Sequence, residues 1–355
     1  MLCPIAYHAQ KRPGSLALVT KDQSLTYQDC DRLIDQIPLL ELFAKIRKNE
    51  PYCPINPKLP PLVQAQQREI LSSIRGFATC LFTSGSTGHP KIACHTLENH
   101  FYSAMGSNMH IPLSLGDKWL LTLPLYHISG IALLFRAFMA GITVVLPGAS
   151  LQPTHVSLVP TQLQKLSLQE RSLFKVILLG GAPIPQELIR DNVYPTYGMT
   201  EMTSQIMTKG KVLPFREMDI RDKRIFVRGK TLFAGYFSED GLIKPFDKEG
   251  WFYTGDLTDG TSIWREDRLI ISGGENIQPE EIENALLSIK GITKARVDSV
   301  SHPEWGKRPV ARITTDRPLP LEEIYAHLKL MLPKYKIPDH ISEDKSFKTS
   351  GISIL

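Results

Sequence analysis

The chain has 355 residues, 42% of them apolar and 22% charged, which is enough to bury one large core and a smaller one and argues against a disordered chain. Its net charge of +5 is scattered rather than clustered, which argues against a nucleic-acid surface and suits small anionic ligands. The five cysteines, Cys3, Cys30, Cys53, Cys80 and Cys94, are odd in number and form no C-x-x-C pair, so a zinc site or disulfide framework is not expected and a reducing cytoplasm is.

In chain order, residues 17–20 and 24–27 predict a short hairpin, and 27–46 carries helical periodicity. No basic-then-apolar leader opens the chain. The segment YCPINPKLP (52–60) precedes an apolar, β-prone run at 77–82. Next comes the stretch around which the rest is organised, TSGSTGHPK (83–91). Residues 83–88 are only Gly, Ser and Thr, so the backbone can bend tightly while amides and hydroxyls converge on one point, as a polyphosphate requires. It is not a Walker A loop, because Lys91 lies three residues past Gly88 with Pro90 between and a second short strand, 91–96, follows.

From 76 to 146 strands and helices alternate as in a layered α/β sheet. The buried-strand candidate 120–125 delivers Tyr126, His127 and Ser129 to its carboxyl end, where ligands gather in open sheets. A lone His is more often a packed structural residue. The longest apolar run, 128–146, is interrupted by Arg136 and two glycines and does not read as a membrane span. Arg136 must reach water, a structural carboxylate or a substrate carboxylate. Residues 156–159 and 174–179 read as strands, the second ending in GGAP (180–183) before a helix at 186–190. Two glycines there allow close approach of a flat ligand. In PTYGMTE (195–201), Tyr197 offers a stacking face, Thr200 a hydroxyl and Glu201 a hard-cation ligand. The stretches 224–228, 231–236 and 250–257 are β-prone, and Asp256 sits on a turn where it either stabilises the backbone or takes two vicinal hydroxyls. Near Asp267 the sequence changes character. A helix at 279–288, strands at 295–300 and 310–314 and a helix at 321–331 then predict a small α+β unit. The expected architecture is α/β: a large N-terminal domain, 1–266, of layered sheets with a β-rich subdomain, and a small α+β lid, 267–355.

Taken in order, 83–91, PLYHISG (124–130), GGAP (180–183), YGMTE (197–201), TGD (254–256), RED (265–267) and SGGENI (272–277) resemble the signatures of the adenylate-forming superfamily of acyl-CoA synthetases, adenylation domains and luciferases. They span most of 52–283. With PLYHISGIALLFRAFMAGITVVL and LIISGGENIQPEEIE, the chain is similar above all to the o-succinylbenzoate–CoA ligases of menaquinone biosynthesis. The loop at 52–60 also resembles a superfamily landmark. A strand and a longer helical stretch usually precede it there, so the first subdomain is expected to be shortened.

The resemblance implies an ATP- and Mg²⁺-dependent acid–thiol ligase. A carboxylate attacks the α-phosphorus to give an acyl-adenylate, and CoA then displaces AMP. It implies that Thr83, Ser84, Ser86, Thr87 and Lys91 hold phosphates. Glu201 takes Mg²⁺; Gly181, Ala182, Pro183 and Tyr197 frame the adenine, with Thr200 among the nucleotide-binding residues; and Asp256 with Arg265 holds the ribose. Asp267 is the hinge of the small domain, Ser272, Gly273 and Gly274 line the pantetheine path, and His127, Ser129 and Arg136 face the aromatic acid. Lys91, His127, Glu201 and Asp267 are the catalytic set. One departure stands out. The superfamily's C-terminal lysine is replaced by Ile352 or Ser353, with Lys348 the nearest substitute. Three readings stay open: an o-succinylbenzoate–CoA ligase, another adenylating enzyme that uses CoA or a carrier protein, and a nucleotide-binding homologue impaired in catalysis.

Overall fold

A computed structural model describes residues 3–83, 91–182, 184–272 and 275–343. Its larger part is organised by a nine-stranded sheet. Six neighbouring strands run parallel: Val193–Met199, Val176–Leu179, His155–Leu158, Lys118–Leu120, Thr143–Val145 and Leu16–Val19. Antiparallel strands close both edges, Ser24–Thr26 on one side and Ser204–Thr208 with Lys211–Val212 on the other. A parallel strand covered on both faces needs apolar residues throughout, and all of Val176–Leu179 is buried. The helix Ile128–Ala140 packs Ile131, Leu133, Leu134, Phe135 and Phe138 with Tyr27, Phe43 and Trp119 into the main core. It ends at Gly141, whose φ of 69° is the left-handed cap that glycine adopts at little cost.

Two antiparallel four-stranded sheets adjoin it. One pairs Thr79–Thr83, Lys91–His95, Gly235–Ser238 and Gly241–Ile243. The other pairs Arg216–Arg221, Arg224–Gly229, Phe252–Thr258 and Ile263–Arg265. Along Phe252–Thr258 buried and half-buried residues alternate, the two-residue period of a strand with one face on a core. The smaller part has its own sheet, formed by Glu275–Ile277, Ile270–Ser272, Gly306–Thr315 and Ile292–His302, with His340–Glu343 added in parallel. Helices Pro279–Leu287 and Leu321–Met331 contribute Ile282, Leu286, Ile324 and Leu328 to a core that begins at Ile270.

Several elements depart from the sequence expectation for local reasons. The strand expected at 120–125 ends at Leu120, because Pro124 has no N–H for a sheet and the chain must turn into the helix at Ile128. The helical stretch 27–46 splits into Tyr27–Arg32, a 3₁₀ turn at Pro38–Leu40 and Glu41–Arg47, with Pro38 as the break. Only a 3₁₀ turn, Gln186–Leu188, forms where a helix was expected at 186–190, a segment too short to propagate one. The strand expected from 231 starts at Gly235, since Leu232 N–H bonds Gly229 O in a turn.

Candidate active site

The parallel strands Val176–Leu179 and Val193–Met199 end side by side, and their exits carry the adenine-framing candidates. At Gly180 a Cβ would come within 2.7 Å of Thr196 O, so only glycine lets the two exits lie this close. Gly181 follows with φ of 82° and Ala182 is exposed. Pro183 lies outside the described residues. From the second strand Tyr197 projects toward Asp256 and donates its hydroxyl to Oδ2 at 2.5 Å. The next turn, Thr200–Met202, carries Glu201.

Glu201 is 8% exposed and accepts the Tyr236 hydroxyl on Oε1 at 2.6 Å. Tyr236 is there because Gly235–Ser238 pairs with Lys91–His95, with Tyr236 opposite Ala93. The same pairing brings the Lys91 ammonium to 5.1 Å from the Tyr236 ring centroid. Thr83 and Lys91 face each other at the base of the hairpin, and the Thr83 hydroxyl donates to Lys91 O at 3.4 Å. Ser84, Ser86 and Thr87 lie outside the described residues. Burial and the facing carboxylates raise the pKa values of Tyr197 and Tyr236, so both phenols keep their protons and donate them.

Asp256 follows Gly255 at a corner of its strand. Burial raises its pKa, while the Tyr197 hydrogen bond and Arg265 pull the other way. Arg265 lies 3.5 Å from Asp256 Oδ1 and makes a two-pronged pair with Asp267 at 2.9 and 3.1 Å. That pair raises the guanidinium's pKa and lowers that of Asp267. Glu201 acts electrostatically on both Asp256 and Arg265. Thr83, Lys91, Tyr236, Glu201, Tyr197, Asp256, Arg265 and Asp267 therefore form one contiguous set. A cavity of about 740 Å³ lies elsewhere, lined by Lys45, Tyr52, Cys53, Arg68 and Arg75, and holds none of these residues.

Arg136 reaches the same region from the core. It is 3% exposed, donates Nη2 to Ser204 Oγ at 3.0 Å and lies 5.7 Å from the Trp119 ring centroid, while Nε has no partner. No carboxylate pairs with it among the described residues. Burial lowers its pKa to about 9. Arg216, buried and bonded to Gln205 O, Ser103 O and Pro214 O, adds a second unneutralised charge close enough to be shifted by Arg136. Ser204 holds its hydroxyl out from a strained backbone with φ of 97°.

Other sequence candidates stand apart. His127 is exposed at the head of its helix, against the Tyr126 ring at 4.7 Å, and Ser129 lies in the first turn; no contact to the Glu201 set is described for either. Ser272 is buried in the small unit beside Arg308. Gly273, Gly274, Lys348, Ile352 and Ser353 lie outside the described residues. Sequence reading missed Tyr236 and Ser204; the latter's only local signal was its position three residues past Glu201.

Two buried carboxylates held by tyrosine hydroxyls, beside the carboxyl end of a parallel strand, suit a nucleotide-dependent enzyme of the adenylating class. The model of the AMP-binding enzyme family matches residues 48–237 and that of the AMP-binding enzyme C-terminal domain matches 281–347, and the chain belongs to this family. The chain is 30% identical to the 2-succinylbenzoate–CoA ligase of Bacillus licheniformis over 377 aligned positions, covering 91% of this chain and 77% of that protein. It is 37% identical to the same-named ligase of Bacillus pumilus, over 74% of this chain and 64% of the relative. The first alignment is longer than the chain, so the relative carries positions with no counterpart here. Among solved structures, o-succinylbenzoate CoA synthetase of Bacillus subtilis with its acyl-adenylate intermediate superimposes with a TM-score of 0.83 at 28% identity, covering 97% of this chain and 94% of that one. The same protein with ATP and magnesium gives 0.84 at 27%, over 96% and 95%.

The residues present fit a magnesium ion. Glu201 is a buried hard-oxygen donor with no ammonium or guanidinium within ion-pair distance among the described residues. No cluster of three metal-ligating side chains occurs among them either, as suits an ion that takes one carboxylate and completes its shell with phosphate and water.

Proposed function

We propose that the chain is an ATP-dependent acid–CoA ligase that acts on o-succinylbenzoate in menaquinone biosynthesis, in the cytoplasm. What supports this reading is that Glu201 and Asp256 belong to one connected set, and that Arg136, a buried guanidinium with no carboxylate partner among the described residues, bonds Ser204 three residues past Glu201. The two carboxylates suit a metal-bound nucleotide and its ribose; Arg136 suits an anion arriving from the apolar side. It would take a carboxylate of the aromatic acid, with His127 and Ser129 proposed to face the same acid.

In the first half-reaction a carboxylate oxygen bonds to the α-phosphorus and the bond to the bridging oxygen breaks, releasing pyrophosphate. Two polyanions must approach, so neutralising their repulsion is the main task. Magnesium on Glu201 supplies charge to the phosphates when bound. Lys91 and the hydroxyls of Thr83, Ser84, Ser86 and Thr87 hold the β- and γ-phosphates that leave as pyrophosphate, while Gly181, Ala182, Pro183 and Tyr197 frame the adenine and Thr200 offers the nucleotide a hydroxyl. Asp256, kept from ionic saturation by the sharing of Arg265 with Asp267, retains oxygen lone pairs for two ribose hydroxyls. In the second half-reaction the CoA sulfur attacks the acyl carbon and AMP leaves. Asp267 is the hinge that exchanges the two arrangements, and Ser272, Gly273 and Gly274 line the thiol's path.

The test is incubation with ATP, Mg²⁺ and CoA against o-succinylbenzoate, benzoates and fatty acids, with thioester and AMP measured by mass spectrometry. Thioester from o-succinylbenzoate is expected. Product from the other acids alone assigns a different adenylating enzyme. ATP binding without pyrophosphate exchange for any acid assigns a binding protein, the alternative suggested by Ile352 or Ser353 in place of a lysine.

A further inference from the structure

Behind the cleft lies a buried polar chain that the reading above leaves unused. Thr79, His95 and His100 are 0%, 0% and 1% exposed. Thr79 Oγ1 lies 3.2 Å from His95 Nδ1 and 2.8 Å from His100 Nε2, and His95 Nε2 lies 2.8 Å from Thr200 O. The direction of every bond follows from the last. A carbonyl only accepts, so His95 carries its proton on Nε2 and its Nδ1 must accept. Thr79 therefore gives its single proton to His95, and its oxygen takes the proton of His100 Nε2. The nitrogen left bare is His100 Nδ1, which has no partner. Burial lowers the pKa of both rings, which keeps them neutral as this pattern requires.

The chain joins three pieces of the site. Thr79 and His95 face each other on the strands that carry the 84–90 loop. Thr200 immediately precedes Glu201, in a turn that exits through two strained residues, Thr203 and Ser204 with φ of 53° and 97°. His100 stacks flat on Phe135, with ring centroids 4.6 Å apart and planes 7° apart, next to Arg136. A turn strained on its exit holds its shape only if its entrance is fixed.

We propose that Thr79, His95 and His100 are positioning residues that lock the Glu201 turn to the phosphate hairpin, and so set the geometry in which the carboxylate meets metal-bound ATP. The proposal rests on Glu201 as the cation's carboxylate. Its test titrates ATP calorimetrically, with magnesium and with EDTA, into the wild-type protein and the variants Thr79→Val, Thr79→Ser and Glu201→Gln. Thr79→Val keeps the volume and removes the hydroxyl. It should cut the magnesium-dependent gain in ATP affinity ~10-fold, the usual effect of losing an outer-sphere partner. Affinity in EDTA and KM for the acid should not change. Thr79→Ser should restore the gain to within ~2-fold.

A wild-type gain in a folded Thr79→Val variant, with the gain lost in Glu201→Gln, overturns the positioning role alone. An unchanged gain in Glu201→Gln overturns the reading of Glu201 and this inference with it. Nitrogen-15 spectra of the wild-type imidazoles give an answer that depends on no variant. Both rings should be neutral Nε2–H tautomers at neutral pH, and a proton on Nδ1 of His95 contradicts the chain.

Discussion

Arg136 carries a charge the fold does not neutralise, and so holds opposite consequences for stability and binding. Its substitution by methionine keeps the volume and a polarisable contact with Trp119 while removing a desolvated guanidinium. Unfolding free energy should rise by ~1 kcal/mol or more, and KM for the acid should rise ~10-fold or more with ATP affinity unchanged. Urea midpoints and initial rates decide it. An unchanged KM removes Arg136 from the pocket. His95 and His100 give a pH prediction. Their folded pKa values lie below the ordinary 6.5, that of His95 at about 4, so the unfolded chain binds more protons in that interval. Their contribution is fully present above pH 6.5 and is lost as pH falls toward 4. His100→Phe, which can keep the stack on Phe135, should flatten the decline in urea midpoint between pH 7 and 4.5; an equal slope would show that other groups set it.

At the scale of elements, the corner that carries Asp256 depends on one glycine. Gly255 has φ of 77°, and a Cβ there would lie 3.1 Å from the Arg265 guanidinium. Gly255→Ala should cost ~1 kcal/mol from backbone strain alone and raise KM for ATP by displacing Arg265, whereas a variant matching the wild type on both counts would detach that corner from the nucleotide. What could be read from sequence follows a physical line. The loop at 83–91 was singled out by its local composition and Glu201, Asp256 and Arg265 by short motifs, and the last three are the ones the fold brings into one set. Tyr236 was not, because its bond to a glutamate 35 residues away exists only through the pairing of Gly235–Ser238 with Lys91–His95. The partner of Arg136, 68 residues distant, was hidden in the same way. The strand end was overrun at 120–125 because the apolar run continues past Leu120, where the ladder ends.

The whole molecule divides its charges around Asp267. Arg265 is tied to Asp256 and Asp267, whereas Arg268 is tied to Glu280 and Glu283 of the small unit at 2.5 and 2.6 Å. Glu266 is still held to the larger part by Arg224 and Tyr253, so Asp267 alone separates the last anchor of one part from the first anchor of the other, which is where a rotation costs fewest contacts. If the small part delivers a cation to the acyl phosphate in relatives, Ile352→Lys or Ser353→Lys should accelerate pyrophosphate exchange ~10-fold or more. No gain from either would mean that charge is already supplied from elsewhere, with Lys348 the first residue to test. The account stands on a single cleft shared by nucleotide and acid. The most direct measurement is calorimetric titration with a non-hydrolysable acyl-adenylate analogue of o-succinylbenzoate, beside AMP alone. One site is predicted, binding the analogue at least ~100-fold more tightly than AMP, with the excess lost in Arg136→Ala; an analogue bound no more tightly than AMP would contradict the account.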